Sequence, residues 1–298
     1  GCRLFDADRG DFWRLSGDES GSPETRGCVK DGIIMNRKTR FLQEPWMPDS
    51  DIALAAVSGT YSEIAEILEK TGIETVRVPE YPAIAKPVRS HPDMLMQVWE
   101  EGKILVPFSF VKNLTKENSK LHRFSFIESQ ALFAEKYPYD VRLNALRIQN
   151  FLFCRPDAAA PELLHLCNEC GIQIIPVRQG YTRCSAAVID RNSIITADSG
   201  IAYAAQSCGL DVLMIRPGHI LLPGYDYGFI GGCCGLIGKN KIAFTGKLES
   251  HPDGERIRQW ISQKGVSIWE LTDGPLLDIG GIIPMLEYEN PVSETRPL

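Results

Sequence analysis

Four side chains draw attention by type and setting: Cys184, His91, Asp93 and Asp278. Cys184 opens the apolar run 184–189. His91-Pro92-Asp93 leads into the run 94–98, and Asp278 is a lone charge inside 275–283. A carboxylate buried in such a run without a partner is costly, so Asp278 reads as a ligand or site residue. Together these groups command definite chemistry. A thiolate can attack a carbon centre and an imidazole can supply and remove protons. A carboxylate can grip a planar cation through two parallel charge-assisted hydrogen bonds. Arg183 and a second thiol, Cys233, stand beside this set. His219, Tyr225, Asp226 and Tyr227 fall in the loop 218–227, where aromatic and acidic groups suit a lid over a cationic ligand.

Each has a plainer reading as well. Cys184 and Cys233 also fit as small core residues. His91-Pro92-Asp93 also fits as a loop anchor, and the same tripeptide recurs at His251-Pro252-Asp253, where it reads as helix-capping chemistry. Cys167 and Cys170 form a C-x-x-C near His165, but they lie on a helix stripe and supply too few ligands for zinc. No metal and no cofactor is expected. The glycine-rich run 228–235 lacks a phosphate-loop Lys-Ser/Thr and opens no helix, so its glycines read as sites of close backbone or ligand approach.

The elements that must position these groups announce themselves as a repeat. Four times the chain writes an apolar stripe at i, i+3 and i+4 with a glycine at i+8. The copies are Ile64, Ile67, Leu68, Gly72; Leu163, Leu166, Cys167, Gly171; Ile201, Ala204, Ala205, Gly209; and Ile257, Trp260, Ile261, Gly265. The stripe predicts the buried face of a helix, and the glycine predicts its left-handed stop. A short apolar strand follows each time, over 73–78, 172–177, 210–215 and 266–271. Three copies continue as hairpins, 94–98 to 103–106, 184–189 to 193–196 and 233–237 to 241–245, with turn residues between the arms. The fourth is cut short at 277–283, and 107–154 reads as a divergent fifth unit. Aligning the hairpins on Gly102, Asn192 and Asn240 brings Asp93 or Met94, Cys184, and Gly232 or Cys233 to matching places, with Asp278 opening the fourth.

Repeats of this order resemble the pentein superfamily, the α/β-propellers of arginine deiminase, agmatine deiminase, dimethylarginine hydrolase and the amidinotransferases. The resemblance spans about residues 48–287. Within it, 179–185 (Gln-Gly-Tyr-Thr-Arg-Cys-Ser) and 224–232 look like an uncharacterised bacterial branch. It implies an α/β-propeller of about five strand–strand–helix–strand repeats around a pseudo-symmetry axis, with the site at the axis. It further implies Asp93 and Asp278 as guanidinium clamps, His91 as acid/base and Cys184 as nucleophile, with Cys233 as second choice. Familiar members take their cysteine from the last repeat after a glycine-rich run. Here Gly280-Gly281-Ile282-Ile283-Pro284-Met285 has none after it. The resemblance therefore implies a hydrolase or amidinotransferase with a relocated thiol, or else a non-catalytic small-molecule binder or ribosome-associated factor. Unequal spacing of the marker glycines also leaves an open α/β sheet in play.

Composition sets the outer bounds. The chain has 298 residues, 38 acidic and 32 basic side chains, and a net charge of −6, an acidic balance that speaks against a nucleic-acid binder. No apolar run approaches a membrane span. Nine cysteines is an odd number for a disulfide framework, which favours free thiols and a cytoplasmic setting. Residues 1–34 are polar and aperiodic and are expected to be a poorly structured segment ahead of a single domain, 35–298. The expected partner is a small-molecule substrate or ligand, and a homo-oligomer is compatible with the sequence.

Overall fold

A computed structural model describes residues 37–116 and 118–289; the segment 1–34 lies outside the described residues. Five small sheets follow one another along the chain. The first holds β1 (Thr39–Phe41), β2 (Ile52–Ser58) and β3 (Glu74–Val78), with α1 (Ser62–Lys70) between the last two. After it comes the short helix α2 (Pro92–Leu95), then β4 (Gln97–Val98), β5 (Lys103–Pro107), α3 (Val111–Lys116) and β6 (Ser125–Ser129). The third unit is β7 (Leu146–Ile148), β8 (Phe151–Cys154), α4 (Pro161–Glu169) and β9 (Gln173–Pro176). The fourth is β10 (Ala186–Asp190), β11 (Ser193–Thr196), α5 (Ser199–Ser207) and β12 (Asp211–Met214). The fifth is β13 (Cys234–Gly238), β14 (Lys241–Phe244), α6 (Gly254–Gln263) and β15 (Ser267–Glu270).

Within a unit the first two strands form an antiparallel hairpin, and the helix crosses over to set the third strand parallel to the second. The last strand, β16 (Ile283–Tyr288), returns to the first sheet. It lies antiparallel between β1 and β2, pairing Ile283 with Ala56 and Thr39 with Tyr288. The first unit thus takes its opening strand from the other end of the described chain.

The helices end as their spacing predicts. Gly72, Gly171, Gly209 and Gly265 have φ of 88°, 66°, 81° and 72°, the left-handed region that a Cβ disfavours. The stripes bury Ile64 and Leu68, Leu163 and Cys167, Ile201 and Ala205, and Ile257 and Ile261. Two details differ from the sequence reading. Segment 107–154 is not one divergent unit: α3 and β6 finish the second unit, while β7 and β8 begin the third. The predicted strand over 94–98 is shortened to β4 (Gln97–Val98), and 94–95 belong to helix α2, because Pro92 suits a first helical position and the Met96 N–H closes a turn on the Pro92 carbonyl.

The opening strands lie side by side, β10 against β13 and β13 against β16. Their approach is close: a Cβ on Gly235 would fall 1.9 Å from the Ile282 carbonyl oxygen. Residues just ahead of these strands are therefore drawn together.

Candidate active site

Each unit brings one short segment to the same place, the stretch immediately before its opening strand. These segments are His91-Pro92-Asp93 before β4, Asn144 before β7, Arg183-Cys184 before β10, Gly231-Gly232-Cys233 before β13, and Asp278 before β16. The Cys184 Sγ lies 2.9 Å from Asp93 Oδ2 and 2.9 Å from Asn144 Nδ2. Asp278 is held by the backbone N–H groups of Phe229 (2.9 Å) and Gly280 (3.0 Å), and its Oδ1 is 3.7 Å from His91 Nδ1. All four candidate catalytic side chains are buried.

Glycines permit this crowding. A Cβ on Gly232 would lie 1.9 Å from Asp278 Oδ1, and one on Gly228 2.5 Å from the Asp278 Cβ. Gly280 has φ +79° and faces the His91 Cβ at 2.4 Å from the position its own Cβ would take. Part of the glycine-rich run 228–235 thus serves to seat one carboxyl.

Above these groups opens a cavity of about 220 Å³. His91, Cys184 and Asp278 line it, and its aromatic walls are Tyr181, Tyr225, Tyr227 and Phe229. Tyr181 stacks on Phe229 with centroids 5.9 Å apart, and Tyr227 meets Phe229 edge-on at 6.1 Å. Tyr181 is fixed from behind by a hydrogen bond from its hydroxyl to Asp140, itself buried.

Burial dominates the electrostatics. It raises the Asp278 carboxyl to about 7, helped by the neighbouring Asp93 charge and opposed by the two backbone donors. Asp93 is raised by burial as well, against the pull of the Cys184 hydrogen bond and Arg183. Burial pushes the Cys184 thiol well above its ordinary value, and the charges of Asp93 and Asp278 add to this. His91 is driven down to about 3 by burial, so its imidazole is neutral and its approach to Asp278 is not an ion pair. Asp93 Oδ1 and His91 Nε2 have no hydrogen-bond partner among the described residues.

A family model described as a family of unknown function, DUF6873, matches residues 56–283. The chain belongs to DUF6873. No curated protein matches it in sequence. Among solved structures, this DUF6873 chain is similar to the inosamine-phosphate amidinotransferase of Streptomyces griseus at 11% identity and a TM-score of 0.52. That match covers 87% of this chain and 99% of the other. It is also similar to SxtG, an amidinotransferase from Microseira wollei in the saxitoxin biosynthetic pathway. There the identity is 13% and the TM-score 0.50, with 76% of this chain and 91% of the other covered. These likenesses show the fold, that of the pentein α/β-propeller.

The DUF6873 chain distributes its candidate residues unevenly. His91, Cys184, Tyr225, Asp226, Tyr227 and Asp278 line the cavity, and Asp93 touches it through Cys184. Arg183 lies behind it: its guanidinium sits 4.4 Å over the Trp46 ring and donates to the Ala186 carbonyl at 3.0 Å. Cys233 does not reach the cavity. It ends a turn of 3-10 helix, Ile230–Cys233, that rotates its Sγ onto the Ile230 carbonyl at 3.2 Å. His219 is exposed elsewhere on the loop, edge-on to His251 at 5.6 Å, and takes no part in the cavity lining. Cys167 and Cys170 diverge, one buried and one exposed. Sequence reasoning missed Asn144, Tyr181 and Phe229. For Asn144 a signal existed: it precedes β7 by two residues, as Cys184 precedes β10.

Proposed function

We propose that the cavity binds a small molecule bearing a guanidinium or amidinium group and that Cys184 attacks its central carbon. One observation carries the reading. A thiol stands 2.9 Å from one buried carboxyl, a second carboxyl lies close by, and both sit at the base of an aromatic-walled cavity. Asp93 and Asp278 offer the oxygen acceptors a planar cation needs, and the aromatic faces favour its charge. The cation also eases the charge the two carboxyls would share. Two buried carboxyls resist ionising beside each other, and an entering positive charge lowers the cost for both.

The reaction is then ordered by proton positions. The Cys184 proton passes to Asp93 Oδ2, and Sγ forms a bond to the central carbon while the C=N pair moves onto nitrogen. The departing amine takes that proton back from Asp93 as its C–N bond breaks, which leaves an amidino group on sulfur and Asp93 ionised again. Water or an amine then displaces the thiol, with the unpartnered Nε2 of neutral His91 placed to accept its proton. Displacement by water makes a hydrolase; displacement by an amine makes an amidinotransferase.

Intact-protein mass spectrometry during incubation with guanidino compounds tests this. Turnover expects a mass adduct mapping to Cys184 and a released amine. A second reading is favoured by the burial that holds the Cys184 thiol protonated. It is a binder of the same cations without bond formation, which ligand-induced thermal shifts without adduct would support. Neither adduct nor shift across the panel would remove the guanidino reading.

A further inference from the structure

We propose that Asn144 is a positioning residue for the Cys184 thiolate: its amide is locked with the N–H₂ end toward sulfur, and it donates to Sγ once the thiol ionises. The amide orientation follows from its surroundings. Asn144 Oδ1 accepts from the backbone N–H of Arg183 at 2.8 Å and of Cys184 at 3.3 Å. Two donors converging on one end of an amide fix which end is oxygen. The nitrogen end then faces three acceptors: Cys184 Sγ at 2.9 Å, the Asp93 carbonyl at 3.0 Å and Met94 Sδ at 3.3 Å.

Two hydrogens face three acceptors, so the choice among them depends on the charge on sulfur. A thiol that donates to Asp93 is a weak acceptor. A thiolate is a strong one, and a hydrogen bond to a charged group is worth more than one to a neutral group. Asn144 is buried and spans both sides of the reacting pair, with its oxygen on the backbone of Cys184 and its nitrogen on the backbone of Asp93. It favours the thiolate without bringing a positive charge, which leaves the cavity free to prefer a cationic ligand. This inference rests on Cys184 being the reactive thiol.

The test is the pH–rate profile of Cys184 alkylation by neutral iodoacetamide, read by peptide mass spectrometry in the wild type and in Asn144→Ala. The expected result is a profile moved to higher pH, with Cys184 labelling at a fixed pH about ten- to a hundredfold slower. Cys170 and Cys208 should be unaffected. A role confined to packing predicts the reverse, because a loosened turn exposes Cys184 and speeds its labelling. An unchanged or faster profile overturns the proposal. If Asn144→Ala does not fold, the wild-type side-chain amide can be followed by nitrogen-15 NMR with Cys184→Ser as control. The Asn144 amide resonance should titrate with the same midpoint as alkylation and stand still in the control. A resonance that stays fixed while Cys184 ionises overturns the proposal equally. Iodoacetamide needs no bound cation, so this result is independent of whether guanidino compounds bind.

Discussion

The Sγ of Cys184 lies 2.9 Å from Oδ2 of Asp93, across 91 positions of sequence. Each residue stands just before the opening strand of its own unit, so the contact is a product of the repeat. A thiol so buried should resist neutral reagents near pH 7, since burial and two carboxyls hold it protonated.

An alkylating agent that carries its own positive charge should behave differently. A haloacetamidine, the cationic counterpart of iodoacetamide, should label Cys184 at pH 7 roughly tenfold faster or more, a difference of about 1.4 kcal/mol. Added guanidine should slow it, and Cys184→Ser should abolish the labelled peptide. Equal rates for the two reagents would mean that the cavity does not recognise the cation.

Binding of a guanidinium should be pH-dependent with a definite sign. The carboxyl of Asp278 is raised to about 7, and it must be ionised to hold a cation. Affinity should therefore fall as pH drops below 7, by up to about tenfold per unit for each proton displaced, and level off above it. Calorimetry in buffers of different ionisation heat should show proton release below pH 7.

Stability of the ligand-free protein should run the opposite way. A carboxyl whose folded value lies above its unfolded one contributes stability that is complete below pH 4. That contribution is lost as pH rises through about 7. Thermal unfolding should show this decline, and Asp278→Asn should flatten it and raise the melting temperature above pH 7. If Asp278→Asn instead melts lower at pH 8, the buried carboxylate is stabilising rather than costly in the folded protein.

Gly232→Ala should damage the site at long range in sequence. Its Cβ would fall 1.9 Å from Asp278 Oδ1, so the carboxyl or the turn must move, at a cost of about 1–3 kcal/mol. The expected outcome is a lower melting temperature together with loss of guanidine protection in the labelling assay. Unchanged protection would show that Asp278 is not a cation clamp.

The four helix-terminating glycines offer a cleaner measurement. An added Cβ would meet nothing within 4 Å at Gly72, Gly171, Gly209 or Gly265, so alanine there reports backbone strain alone. Each substitution should cost about 1–2 kcal/mol in urea titrations, and pairs should add to within about 0.5 kcal/mol. Four similar values would mark four equivalent helix ends.

Those helix ends were legible because the signal is local: an apolar stripe, a glycine and a strand within some sixteen residues. The joint appearance of His91, Asp93, Cys184 and Asp278 was legible for a related reason, since equivalent offsets in a repeat reach equivalent places. What could not be read was side-chain direction. Gly232, not Cys233, stands at the offset of Cys184, two residues ahead of its strand, and a turn of 3-10 helix swings Cys233 onto its own backbone while Cys184 faces the cavity. His219 and Tyr227 share one loop, and only the path of that loop separates them. Asn144 carries no charge and no reactive atom, so its importance rests on four partners contributed by other segments. The split of 107–154 between two units escaped notice because the helix inside it, α3, is short and lacks the terminal glycine.

The strand β16 has a consequence in time. A ribosome delivers the chain from its N-terminus, so β2 and β3 exist long before the strand that must lie beside β2. Until then the first sheet shows an open edge, and Asp278, five residues ahead of β16, is missing from the pocket. The Cys184 sulfur and the Asp93 carboxyl can meet earlier, but the second acid arrives only as β16 joins the first sheet. A chain halted before residue 278 would hold the thiol and the first carboxyl without the second, so on the proposed function its choice of a cationic ligand waits for the closing moments of folding.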